Sequence, residues 1–186
     1  MGAKGCNFDW KTPPRHETRR ADRTVGPTRR WQTTLARSAA ETLGAVHLRI
    51  DTIEAALRQS ALSIKNAKDG GYWAAYGIAA DNLRLGHIVI GDSVNPVPLT
   101  RHAWNDAAVD GNAALLNVEV VCSDLGKHRH RVENRTADIA GQRVPDWNAV
   151  TRREYDVFPN PDLRIDTANR SIESCVEQLV VAVKAL

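Results

Sequence analysis

Residues Val25–Asp51 read VGPTRRWQTTLARSAAETLGAVHLRID, and the two ends of this stretch pull in different directions. From Thr33 onward, Leu35, Ala36, Ala39, Ala40 and Leu43 recur at helical spacing, with Gly44 as a natural stop. Ala45–Ile50 then alternates, Val46, Leu48 and Ile50 falling on one side, which predicts a strand ending at Asp51. A helix of this kind often follows a phosphate-cradling loop of the form G-x-x-x-x-G-K-[ST]. Gly26 and Thr33 stand at the outer positions of that motif, but Trp31 takes the second glycine and Gln32 takes the lysine. Backbone N–H groups close around an anion only where no side chain intrudes, so an indole there fills the phosphate's place. Gln32 cannot supply the missing positive charge.

Downstream, helical and strand patterns alternate. Helices are predicted from Thr52 and over Tyr72–Leu85, with Gly86 as a stop, and the apolar run His87–Ile90 predicts a strand. Leu99–Asp110 is helix-compatible, Leu115–Cys122 is a second apolar strand, and Lys127–Thr136 is a helix dense in His and Arg. A loop at Gly141–Trp147, a short helix over Asp146–Tyr155, a strand at Leu163–Ile165 and a helix over Ser171–Leu186 complete the chain. Strands alternating with helices predict an α/β fold, a three-layer parallel sheet with helices on both faces. The 186 residues fit one domain, with no internal repeat.

Residues 1–31 stand apart. They carry eight Lys and Arg against three acidic residues, a net +5, whereas the remainder nets −2. The basic character of the chain therefore belongs to this segment, which lacks an apolar run able to form a strand. Two readings stay open for it: a disordered basic tail, or an arm that binds nucleic acid. No stretch approaches the length of a membrane span and no apolar leader is visible, so a cytoplasmic location is expected. Cys6, Cys122 and Cys175 are widely spaced, which suggests neither a disulfide framework nor a zinc site, and Cys122 is expected as a buried thiol.

In an open parallel sheet, ligands bind beyond the carboxyl ends of the strands. Here those ends carry Asp51 and Thr52, Asp92 and Ser93, Ser123 and Asp124, and Asp166 and Thr167. Acids at that edge hold Mg²⁺ or accept a proton, but Asp and Ser after strands also cap helices. Ser123, Asp124 and Thr167 are read as caps, while Asp51 and Asp92 stay open between the two roles. Arg131 and Arg135 lie four apart, so a continuous helix would project both from one face, over a phosphate or into a salt-bridged surface with Glu133 or Asp138. His128 and His130, two apart, face different ways and do not suggest a metal site.

Taken together, TTLARSAAETLGAVHLRIDTIEAALR, NLRLGHIVIGDSVNPVPLTR, VEVVCSDLGKHRHRVENRTAD, PDWNAVTRREYDVF and LRIDTA resemble the small bacterial P-loop kinases described as predicted kinases or AAA-family ATPases. These are related to 5′-polynucleotide kinases, chloramphenicol phosphotransferases and zeta toxins. The resemblance spans Thr33–Leu186 and implies a five-stranded parallel sheet in the order 2-3-1-4-5. It implies transfer of a phosphoryl group from ATP, with Mg²⁺, to a hydroxyl on an unidentified substrate. Asp51 matches the acid that orients or deprotonates that hydroxyl. Asp92 matches the acid associated with Mg²⁺ or substrate, with Asn95 and Arg101 following on the substrate side. Gly26, Thr33 and Thr34 fall on the nucleotide side, Thr33 also toward Mg²⁺. Arg131 and Arg135 match lid arginines, making Lys127–Trp147 a mobile lid on a domain of residues 32–186.

The family's first strand is the central one, yet no strand pattern precedes Thr33. Reading the same nucleotides one position later accounts for the faults together. The Trp31 codon is always TGG, so its last two bases and the C of Gln32 spell GGC, glycine. Gln32 then supplies the start of a lysine codon if a purine follows. The shifted frame can read G-x-P-G-x-G-K, and over Ala21–Val25 it permits an apolar run such as LIVLS. The expectation is a kinase impaired as written, its first strand missing or degenerate; the alternative is a non-catalytic relative whose basic arm binds nucleic acid.

Overall fold

The computed structural model describes residues 29–61, 64, 66–140, 144–153 and 155–186. Gly26 and most of the basic segment lie outside the described residues. The first helix, α1, spans Arg29–Leu43, so it begins four residues upstream of Thr33 and takes in Trp31 and Gln32. The four positions before Thr33 are therefore the leading turn of a helix, since nothing in Arg-Arg-Trp-Gln resists helical backbone. Gly44 ends it with φ +64°, a conformation glycine adopts without a Cβ penalty.

Strand β1 is Val46–Arg49, and α2 (Ile50–Gln59) follows with no intervening loop, so Asp51 lies in a first helical turn. Helix α3 is Gly70–Arg84 and strand β2 is Val89–Asp92, two residues later than the apolar pattern predicts. Pairing explains the shift: β2 runs parallel to β1 in the register Val46↔Val89 through Arg49↔Asp92. Helix α4 (Pro98–Asp110) opens on a proline, which suits a first turn whose N–H needs no partner. Strand β3 (Val118–Val121), α5 (Leu125–Glu133), α6 (Trp147–Thr151), β4 (Leu163–Asp166) and α7 (Ile172–Lys184) complete the order. β3 and β4 are also parallel, Val118 opposite Leu163 and Val121 opposite Asp166.

Among the described residues the strands form two separate pairs, β1–β2 and β3–β4, rather than one continuous sheet. In the strand order implied by the resemblance, the family's central strand would lie between these two pairs, where no strand stands among the described residues. Each pair has its own core. Leu48, Ile50, Ala75, Tyr76, Ala79 and Trp104 pack on the β1–β2 side. Leu35, Ala39, Val120, Ile165, Cys175 and Leu179 pack on the β3–β4 side. Helix α1 joins them: it packs on β1 and β2 as well as on α7. Gly91 in β2 is required by close approach, because a Cβ there would meet the Trp104 indole at 2.7 Å. Between β2 and β3 lies a cavity of about 390 Å³.

Candidate active site

The carboxyl ends of β1 and β2 and the first half of α1 converge on a small cavity of about 50 Å³, lined by Gln32, Thr33, Asp51, Glu54, Asp92 and Ser93. Asp51 reaches it because α2 starts directly off β1. Asp92 is the last residue of β2 and is buried, 6 % exposed. Its Oδ2 lies 3.2 Å from His47 Nε2 and 3.9 Å from Arg49 Nε. Unlike the caps described below, Asp92 spends its carboxylate on side chains of the neighbouring strand. Thr33 is buried in α1, and the Gln32 amide donates to the Ser93 carbonyl, tying α1 to the end of β2.

Arg49 connects this cavity to the segment after α5. It is 8 % exposed, and its guanidinium grips Asp138 with a fork of two bonds, Nη1 to Oδ2 at 2.7 Å and Nη2 to Oδ1 at 3.0 Å. Bidentate geometry of this kind is the strong form of an ion pair. The hydrogen bond from Arg49 holds the Asp138 carboxyl below the usual range, and the same bond raises the guanidinium's own pKa. Arg37 of α1 lies 3.7 Å from Asp138 as well. Arg49 Nε is buried without a hydrogen-bond partner among the described residues. Neither His47 nor Arg49 stands out in the sequence; they occupy the polar half of an alternating strand, which reads as a solvent face.

Asn95 and Arg101 form a corner below Asp92. Asn95 adopts φ +46°, and its side-chain oxygen receives Ser93 Oγ at 2.8 Å and Trp104 Nε1 at 3.0 Å. Arg101 is buried and donates to three backbone carbonyls: Asn95 at 3.1 Å, Val157 at 3.2 Å and Asp156 at 2.5 Å. Its guanidinium carbon also sits 4.5 Å from the Phe158 ring centroid. Its charge is thus spent inside the fold, fastening the Asp156–Phe158 segment to α4.

Arg131 lies across the β3–β4 ends. It donates to Thr167 Oγ1 and to the Thr167 carbonyl, both at 3.0 Å, and stacks on the Trp31 indole with 4.0 Å between guanidinium carbon and ring centroid. The tryptophan at the motif's second glycine position is therefore a cation–π platform for this arginine. Arg131 and Arg135 do not share a helix face, because α5 ends at Glu133. Asn134 is its C-cap, and both its backbone N–H and its side-chain amide donate to the His130 carbonyl, at 3.1 and 2.8 Å. Of the expected ion-pair partners, Glu133 takes Arg129 at 2.7 Å, while Asp138 takes the Arg49 fork and also feels the charge of Arg135.

The remaining strand ends are structural. Asp124 caps α5 by accepting from Lys127 N at 2.9 Å, and Thr167, fully buried, donates to the Val121 carbonyl at 2.9 Å. Cys122 is a buried thiol. His128 is fully buried with its ring edge-on to Trp147, the centroids 5.2 Å apart. Burial, and then the charge of Arg131, push its imidazole down to about 4. Thr34 precedes the first fully buried position of α1, and no helix of the described residues is long and apolar enough to cross a membrane.

No protein-family model and no curated protein matches the chain. Solved structures do. An APS kinase from Mycobacterium tuberculosis, in complex with AMPPNP and APS, superposes with a TM-score of 0.60 at 16 % identity, over 86 % of this chain and 94 % of that one. A kinase candidate from Chloroflexus aurantiacus gives a TM-score of 0.62 at 15 % identity, over 82 % and 89 % of the two chains. At such identities the likeness shows the fold alone. That fold is an α/β architecture with parallel strands and flanking helices.

Proposed function

We propose that this chain is built as a cytoplasmic ATP-dependent kinase, of the group that includes polynucleotide kinases, chloramphenicol phosphotransferases and zeta toxins, with its phosphate-binding side impaired as written. The observation that carries this reading is the gathering of Thr33, Asp51 and Asp92 on one cavity at the carboxyl ends of β1 and β2. Asp51 orients the acceptor hydroxyl and takes its proton. Thr33 and Asp92 provide the hard oxygen donors that suit Mg²⁺, which when bound neutralises phosphate charge. Asn95 and Arg101 shape the substrate wall, Arg101 by holding the Asn95 backbone. Residues 127–147 act as the lid, bringing Arg131 and Arg135 toward the nucleotide, and the Arg49–Asp138 fork seats that lid on β1.

The phosphate side does not fit its ligand. Gly26 lies outside the described residues, Gln32 stands where a lysine is needed, and the Trp31 indole covers Arg131. No transfer step is assigned to the chain in this form. A one-nucleotide shift in frame immediately before Thr33 explains the departure, and the nucleotide sequence of codons 28–32 decides it: bases that do not spell the loop one position later sink that explanation. The functional reading is tested by replacing residues 21–32 with an apolar strand and a G-x-P-G-x-G-K loop, then titrating ATP with Mg²⁺. The restored chain is expected to bind in the micromolar range and the chain as written to bind far more weakly. Equal binding by both, or salt-sensitive nucleic-acid binding without any ATP binding, overturns it.

A further inference from the structure

We propose that the cavity between β2 and β3 is an acceptor slot for one extended, apolar segment supplied by another polypeptide, which would lie parallel to both strands and join the two half-sheets. The inference goes beyond the kinase reading and needs no nucleotide. β2 pairs only with β1, and β3 only with β4, so each presents one strand edge on which no ladder forms among the described residues. Unpaired edges of this kind are templates for strand addition. Both pairs point the same way. α1 bonds through Gln32 to Ser93, just past β2, and stacks through Trp31 on Arg131, which holds Thr167, just past β4. A single strand parallel to both therefore meets a parallel edge on each side.

The walls define the occupant's chemistry. Leu35 of α1 and Leu179 and Val183 of α7 line the slot from one helix layer, and Trp104 and Ala108 of α4 line it from the other. Side chains of a strand alternate between faces, so an occupant covered on both must be apolar at nearly every position. His87 and Asp92 are the only titratable side chains among the described residues that line it. Four paired residues span roughly 13 Å, so a segment of five or six aliphatic residues suffices. The residues that precede α1 in sequence do not meet this demand: Glu17–Val25 reads ETRRADRTV, with five charges in nine positions. Placing unpaired charges between apolar walls costs several kcal/mol per ion. The fitting occupant is an uncharged Val-, Ile- and Leu-rich strand from outside this chain.

The test uses the full chain and a synthetic LIVLS peptide carrying a Lys-Lys-Gly leader at its amino end. Backbone amides of Val89–Asp92 and Val118–Val121 are expected to exchange at least tenfold more slowly with peptide than without, and Tm to rise with peptide concentration. A LIDLS peptide with the same leader is expected to do neither. Val183→Trp, which fills the slot from a half-buried rim position, is expected to abolish the LIVLS effect. Should that variant unfold, Ala108→Leu serves the same purpose from the opposite wall. Protection confined to one strand, an equal response to LIDLS, or no response overturns the proposal. So do two outcomes without peptide: slow exchange of both strands, which means the chain's own residues fill the slot, and protection that grows with protein concentration, which means a second copy does. The restored-loop ATP titration is independent, so either idea can fail alone.

Discussion

The two half-sheets end in the same kinds of residue and use them differently. At the β1–β2 ends, Asp51 and Asp92 face a shared cavity, and Asp92 is held by His47 and lies near Arg49 from the adjacent strand. At the β3–β4 ends, Asp124 caps α5, Asp166 accepts the backbone amides of Ser123 and Ala168, and Thr167 ties Arg131 down. Further along β3, buried Glu119 is closed by Arg164 at 2.6 Å and Tyr155 at 3.0 Å; burial, and then the charge of Glu119, push the tyrosine up to about 12. An acid whose oxygens are taken by nearby backbone N–H groups is a fold element. An acid that lines a cavity stands where a ligand can meet it.

The largest expected effect follows from that contrast. In the restored chain, Asp51→Asn is expected to lower turnover by about 10²–10⁴-fold while leaving Tm nearly unchanged. Asp124→Asn is expected to leave turnover within about twofold, since its oxygen serves an amide of its own helix. Steady-state kinetics on the two variants separates the roles; comparable losses in both erase the distinction between the half-sheets.

Below that in size is a pH effect confined to the β3–β4 half. An imidazole at about 4 in the folded chain against 6.5 in the unfolded one means that, between those values, only the unfolded state binds the proton. Stability therefore rises with pH across the window: the contribution is complete above 6.5 and is lost as pH falls toward 4, about 3 kcal/mol in all. Urea melts at pH 7 and pH 4.5 on the parent and on His128→Met check this. The variant is expected to lose less stability on acidification than the parent; an identical loss in both rules His128 out as the source.

The β1–β2 half has its own structural weak point, of smaller size. Gly91→Ala places a methyl against the Trp104 ring, whose edge-on packing against Tyr76 at 4.9 Å leaves little room to retreat. A destabilisation of about 1–3 kcal/mol is expected by denaturant melts. A neutral result means that Trp104 shifts toward the slot it lines, which bears on how open that slot is.

How much of this was legible in the sequence depends on the reach of each interaction. Helices such as α7 and the stop at Gly44 follow from local spacing and backbone preference, so periodicity found them. The stretch before Arg29, where no strand pattern is visible, lies outside the described residues. Register is not local: the run His87–Ile90 is apolar, but β2 extends to Asp92 because β1 is there to pair with it. His47 and Arg49 were missed for the same reason, since their partners Asp92 and Asp138 lie 45 and 89 residues away. Conversely, the four-residue spacing of Arg131 and Arg135 suggested a shared helix face, but α5 ends at Glu133 with Asn134 as its C-cap.

The smallest expected effect is the sharpest check on the comparison, because it concerns one helix end on each side. Asp124 accepts a backbone N–H at the start of α5, whereas Arg49, at the corresponding position before α2, makes no such side-chain bond. Asp124→Ala should therefore cost about 1 kcal/mol, the usual value of a lost cap, and its exposed pairing with Lys127 at 3.8 Å adds little. Asp51 stands one residue inside the first turn of α2, so Asp51→Ala loses that favourable placement, worth about 0.5 kcal/mol, and is expected to be the milder change. Equilibrium melts on the two alanine variants rank them. If Asp51→Ala proves the more destabilising, Asp51 is a structural acid like Asp124, and the division of labour between the half-sheets is wrong at the residue on which the catalytic reading depends most.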